Sequence, residues 1–188
     1  MSRISTSPVV GYGWPDRHEH PGLVFGFRRS SEHVHQGIDI MAPEGTPIVA
    51  AADGVVVLVL ERFMHGLRGY GRLIVIGHPR NRWTLYAHLA RADVRAGMRV
   101  RAGDRIGAVG KTAWRTAAME EFVESGAHLH YEVLTRWPMR EEPDHGAIID
   151  RIDPVRWHAG GGLMGFLTLA AAAGGAAAWW WRRGRRRR

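Results

Sequence analysis

The sequence predicts an all-β fold, an antiparallel sheet or sandwich with one short inserted helix and a single helix at the C-terminus. Three observations carry this expectation. From Phe25 to Trp157 the chain runs in short apolar stretches broken by Gly, Pro, Asn and Asp, the punctuation of strands and turns. The stretch "AHLHYEVL" alternates polar and apolar residues at a period of two. After it, Ala159 to Trp181 carries no charged residue at all.

Taken in order, residues 1–24 are rich in Gly, Pro, Ser and His and read as an irregular arm before a domain over 25–157. "GTPIVAAADGVVVLVLE" gives a strand, an Asp53-Gly54 turn and a second strand. "GRLIVIGH" and "RWTLYAHLA", joined through "PRNR", read as a hairpin. An internal echo follows: Arg95-Ala96-Gly97-Met98 and Arg101-Ala102-Gly103-Asp104 mark two glycine turns before "RIGAVG". "RTAAMEEFVES", residues 115–125, is dense in helix formers with Ala118 and Phe122 four apart, and predicts the inserted helix.

The segment 158–188 differs in kind. As a helix, its uncharged run would be roughly 34 Å long, enough for a hydrocarbon core of about 30 Å. Trp179, Trp180 and Trp181 would fall at the interface, with the arginines of "RRGRRRR" on the cytoplasmic side. The competing reading is an Ala/Gly-rich flexible tail. Taken as a membrane helix, it tethers the protein with the preceding domain facing the periplasm or cell wall. The N-terminus lacks the apolar run of a secretory signal, so export is expected by another route: phage-associated delivery, a start further upstream, or processing of the tail.

The formal net charge is +8, from 26 basic and 18 acidic residues. Six of the arginines lie in the last seven positions, and without them the body carries 20 basic against 18 acidic residues. A nucleic-acid-binding face is therefore not expected. The chain has no cysteine, which excludes disulfides and thiolate metal sites.

Candidate chemistry rests on histidines. In "HVHQGID", His35 and Asp39 are four apart, but in a straight strand their Cα atoms would be roughly 13 Å apart. They can share an ion only if the chain bends at Gln36-Gly37; otherwise the stretch is an ordinary polar loop. In "AHLHYE", His128 and His130 are two apart and project from one strand face, where burial without partners is costly. His88 of "LYAHLA" stands in an otherwise apolar strand, and a lone histidine there is more often structural.

These stretches together resemble the lysostaphin/LytM-type zinc endopeptidases, which cleave the peptide part of bacterial cell walls. The resemblance runs from "FGFR" (25–28) through "HQGIDIMAPEGTPIVAAADGVVV", "GYGRLIVIGH", "TLYAHL" and "VRAGDRIGAVGKT" to "HLHYE" (128–132), in the family's order. It implies that His35, Asp39 and His130 bind zinc while His88 and His128 act on the substrate, peptidoglycan. Two imidazoles and one carboxylate leave a tetrahedral zinc an open position, the pattern of a catalytic site. Which of His88 and His128 is the base stays open. Glu132 either orients a ligand or is an ordinary strand carboxylate, and Arg28 either contacts substrate or forms a structural ion pair. His33, His18, His20, His65, His78, His145 and His158 are expected at the rim or surface. Family members without activity, which bind walls or regulate amidases, typically lose zinc ligands; this sequence keeps all five side chains. The predicted helix at 115–125 stands where the family has a short loop, so bond preference does not carry over.

Overall fold

The computed structural model of the chain describes residues 7–30, 33–61, 69–114, 121–137 and 150–160. Its strands are β1 (Arg28–Ser30), β2 (His33–Val34), β3 (Ile38–Met41), β4 (Pro47–Val49), β5 (Gly54–Leu60), β6 (Leu73–His78), β7 (Arg82–Ala87), β8 (Leu89–Ala92), β9 (Arg99–Val100), β10 (Arg105–Trp114), β11 (Glu121–Leu134) and β12 (Arg151–Ile152). One α-helix, α1 (Pro154–Ala159), follows. Every pairing between these strands is antiparallel. The antiparallel all-β class expected from the sequence is therefore the class observed.

The main sheet runs β4-β10-β11-β7-β6-β5-β9, with β3 and β12 also on β11 and β8 on β10. The β6–β7 hairpin forms as expected, with Ile74 opposite Tyr86 and His78 opposite Arg82. Both glycine turns form as well. Gly97 and Gly103 have φ of 87° and 88°, and the amides of Met98 and Asp104 donate to the carbonyls of Arg95 and Arg101. Only glycine takes that backbone without strain.

Period two sorts the core into two clusters. Ile74, Ile76, Tyr86, Leu129, Tyr131 and Val133 belong to the larger one, and Leu73, Val75, Leu85, Ala87 and Leu134 to the smaller. His128, His130 and Glu132 alternate with the first set along β11, so they share the second face. The N-terminal residues also contribute to the core: Val9, which bridges Ile48, is 2% exposed, and Trp14 packs against the larger cluster.

The expected helix over 115–125 is corrected where it can be seen. Glu121 to Ser125 are the start of β11, and Glu121, Phe122 and Val123 pair with Trp114, Ala113 and Thr112 of β10. Helix-forming composition is a weak prior, and here the ladder offered by β10 outweighs it. Residues 115–120 lie outside the described residues, as does the tail from residue 161. Among the described residues no helix is long and apolar enough to cross a membrane, so the expected membrane helix has no support here.

α1 straddles the expected boundary at residue 157. Asp153 caps it, accepting the Val155 amide at 2.9 Å, and Pro154 occupies the first turn, where a missing N–H costs nothing. Its Trp157 and His158 are buried against the sheet, among His78, Tyr131 and Trp14. Trp157→Ala should therefore destabilise the fold by about 3 kcal/mol or more, the usual cost of deleting a buried tryptophan. Urea unfolding measures it, and an unchanged midpoint would show that α1 is not part of the folded unit.

Candidate metal centre and histidine pair

The site is assembled on β11. At His130 this strand has Asp39 of β3 opposite on one edge and Ala87 of β7 opposite on the other. His35 enters from the turn before β3, its backbone tied to Phe27 and Gly26. The result is a cluster of three ligand atoms, the only such group of three or more among the described residues. Asp39 Oδ1 lies 2.7 Å from His130 Nδ1 and 3.1 Å from His35 Nε2, and the two nitrogens are 3.2 Å apart.

What lets the chain close in is Gly37. In the sequence this glycine suggests a bend, but its φ is not in the left-handed region. A Cβ there would lie 2.6 Å from the Tyr131 carbonyl oxygen and 2.9 Å from both Glu132 Cγ and His130 Cε1. Glycine supplies room for the His35–Asp39 turn to lie on β11.

The second nitrogen of each histidine fixes its tautomer. His35 Nδ1 is 3.0 Å from the Val24 carbonyl, which can only accept, so Nδ1 carries the proton and Nε2 faces the cluster as a base. His130 Nε2 is 2.9 Å from Glu132 Oε1, so Nε2 donates and Nδ1 faces inward. Two imidazole lone pairs and a carboxylate oxygen thus converge in a buried volume, an arrangement stable only around a cation or a proton. Two nitrogens and one oxygen with each imidazole oriented from behind fit zinc.

Without a metal, a proton takes that position. Burial opposes a charged His130, but hydrogen bonds to Asp39 and Glu132 outweigh it and push its pKa up to about 9. Burial likewise opposes ionised Asp39 and Glu132. The His130 and His35 contacts nevertheless hold Asp39 well below the usual carboxylate range, and Arg151 and His130 bring Glu132 down to about 2.

His88 and His128 form a second pair, with ring centroids 4.7 Å apart; that of His88 is 5.9 Å from His130. His88 is the corner between β7, which pairs with β11, and β8, which pairs with β10. It turns with φ of 61°, a conformation histidine adopts more readily than most residues. Its Nδ1 donates to the Thr112 carbonyl at 2.8 Å, leaving Nε2 as the basic nitrogen. Its amide donates to Tyr70, and Arg72 joins Thr112 Oγ1 across Gly71. Gly71 has φ of 62°, and a Cβ there would collide with the Thr112 carbonyl. Burial first, then the neighbouring His130 and His128, lower the His88 pKa to about 3, so the ring is neutral. His128 Nδ1 donates to the Gly126 carbonyl at 3.1 Å.

Glu132 is fully buried and contacts His130, Tyr70 and Arg151. Arg28 is exposed on β1, outside the buried cluster. His33 lies in β2 opposite Ser30. His78 and His158, expected at the surface, are instead buried. His78 is satisfied by the Asp53 carbonyl and Thr84, and His158 by the Tyr131 hydroxyl. Such partners make a histidine affordable in a core. His18 and His20 are exposed, and His65 and His145 lie outside the described residues. Sequence reasoning gave no role to Thr112, Tyr70 or Arg151; only the "GYG" and "GKT" phrases hinted at the first two.

The sequence model of peptidase family M23 matches residues 33–142. A DD-carboxypeptidase/endopeptidase of Neisseria gonorrhoeae, Mpg, is 41% identical over 112 residues, covering 57% of this chain and 23% of the relative. The murein hydrolase activator NlpD of Salmonella typhimurium is 34% identical over 132 residues, covering 70% of this chain and 30% of the relative. The chain thus spans under a third of the length of either. Among solved structures, a point mutant of the catalytic domain of the prophage-encoded M23 protein EnpA from Enterococcus faecalis superposes with a TM-score of 0.55. Its sequence identity is 25%, over 80% of this chain and 95% of that one.

Two predictions follow from the geometry. Gly37→Ala should cut zinc affinity at least tenfold, read by competition with a chromogenic chelator; wild-type affinity would mean the turn has slack. The metal-free protein should be most stable near pH 6.5. The raised His130 pKa contributes stability that is full below 6.5 and lost as pH rises towards 9; the lowered His88 pKa contributes stability lost as pH falls from 6.5 towards 3. Zinc replaces the His130 proton and should abolish the alkaline loss. Thermal unfolding from pH 5 to 9 tests this, and equal metal-free stability at pH 6.5 and 9 would contradict it.

Proposed function

Because the chain belongs to peptidase family M23, we propose that it is a zinc-dependent endopeptidase hydrolysing peptide bonds in the stems or crosslinks of bacterial peptidoglycan. The observation that carries this reading is the buried convergence of His35 Nε2, Asp39 Oδ1 and His130 Nδ1 beside two more imidazoles of fixed tautomer. His35, Asp39 and His130 would hold the ion. When bound, zinc supplies Lewis acidity that brings water towards a neutral pKa and polarises a carbonyl. His88, neutral and held through Nδ1 by Thr112, can take a proton at Nε2. His128 is held in the same way and can fill that role instead; the other ring, with a proton on Nε2, would give a hydrogen bond to the developing oxyanion or a proton to the leaving amine.

Support for this substrate class comes from membership of family M23 and from the likeness to a murein hydrolase activator. With that substrate, the protein would work in the cell envelope. The relative named as a murein hydrolase activator favours a second reading, in which the domain binds the wall and stimulates an amidase without cleaving it. The complete ligand set and the paired histidines weigh towards the enzyme.

Incubation with purified peptidoglycan, counting newly released amino termini, tests the proposal. The full chain with one zinc should release them, a chelator should stop it, and His88→Ala should slow release at least ~100-fold while keeping its zinc. Zinc without release, together with acceleration of an added amidase, would replace the enzyme with the activator.

A further inference from the structure

Glu132 is a carboxylate with no exposure, and three donors from three parts of the chain close around it. Its Oε1 accepts from His130 Nε2 at 2.9 Å and from the Tyr70 hydroxyl at 2.8 Å; its Oε2 accepts from Arg151 Nε at 2.9 Å. The Arg151 side chain is buried as well, 5% exposed. Arg151 holds Oε2 while Oε1 is left to His130 and Tyr70, so the guanidinium fixes the plane of the carboxylate that meets Nε2–H of His130. Arg151 is the only guanidinium that the described contacts bring to it.

Arg151 lies beyond residues 33–142, the segment matched by the family model. It reaches the site because β12 pairs with the end of β11, Arg151 opposite Leu134, while the Thr135 amide donates to the Asp150 carbonyl. Immediately after β12, Asp153 caps α1, whose Trp157 and His158 anchor the segment on the far face of the sheet. The segment is thus fixed at both ends, with its cation between them.

On this basis, and resting on the metal site read above, we propose that Arg151 is a positioning residue for the metal centre. Through Glu132 it sets the orientation of His130, so that zinc affinity depends on the docking of the C-terminal strand and helix. Acting through Glu132, Arg151 is not a catalytic residue.

The test uses the full chain. In the metal-free protein, the His130 proton on Nε2, bonded to a buried carboxylate, should give a downfield, slowly exchanging imidazole resonance. Arg151→Gln should remove it and weaken zinc binding about 10- to 100-fold, the usual effect of losing a partner behind a ligand. Arg151→Lys, which keeps the charge, should restore most of both. Persistence of the resonance in Arg151→Gln overturns the proposal, whatever the zinc affinity. Should Arg151→Gln not fold, the double variant Glu132→Gln/Arg151→Met removes both charges together. It should shift the resonance upfield and lower zinc affinity about tenfold; wild-type values of both would likewise overturn the proposal. A wild type that shows the resonance but releases no peptide would sink the endopeptidase reading and leave this one standing.

Discussion

Between His128 and Tyr131, strand β11 is paired on one edge with β3, and from His130 onward it is paired on the other with β7. This double pairing sets nearly every side chain in the site. It puts Asp39 across from His130 and brings the end of β7, and so His88, alongside. Because side chains alternate, a slip of one residue in the β11–β3 register would turn His130 and Glu132 into the apolar cluster and present Leu129 or Tyr131 in their place. The large residues fully buried on the other face, Tyr131, Leu129, Tyr86 and Ile76, make that slip prohibitively unfavourable. The metal centre is held in register by the core behind it.

The chemistry layered on this frame follows one rule: every site histidine has one nitrogen committed to a carbonyl or carboxylate, so the other is the base. Val24, Thr112 and Gly126 do this through backbone oxygens, which cannot change protonation state. His130 depends on Glu132 instead, a side chain that must itself be held in place. That dependence brings Tyr70 and Arg151 into the account, and with them a segment 19 residues along the chain from Glu132.

Much of this was legible in the sequence where the determinant is local. The period-two spacing of His128 and His130, the hairpin from Leu73 to Ala87 and the turns at Gly97 and Gly103 each depend on a few adjacent residues. The convergence of His35, Asp39 and His130 came from the family resemblance, since the spacing alone left an ordinary loop as the competing reading. Where the determinant is distant, composition misled or said nothing. Glu121 to Ser125 look helical and become strand because β10 is there to pair with them. Gly37 looks like a hinge and is a gap, because the atoms it avoids lie more than ninety residues away. Glu132 was undecidable from its neighbours, since its partners Tyr70 and Arg151 are 62 and 19 positions distant.

The proposed chemistry requires His35, Asp39 and His130 together to bind one zinc and leave it an open position. X-ray absorption at the zinc edge, on the full chain loaded with one equivalent, tests this most directly. The expected result is a first shell of about four nitrogen or oxygen atoms at roughly 2.0–2.1 Å, with the outer-shell scattering of two imidazoles, and loss of one imidazole in His35→Ala. A shell with no imidazole, or one unchanged by His35→Ala, would contradict it.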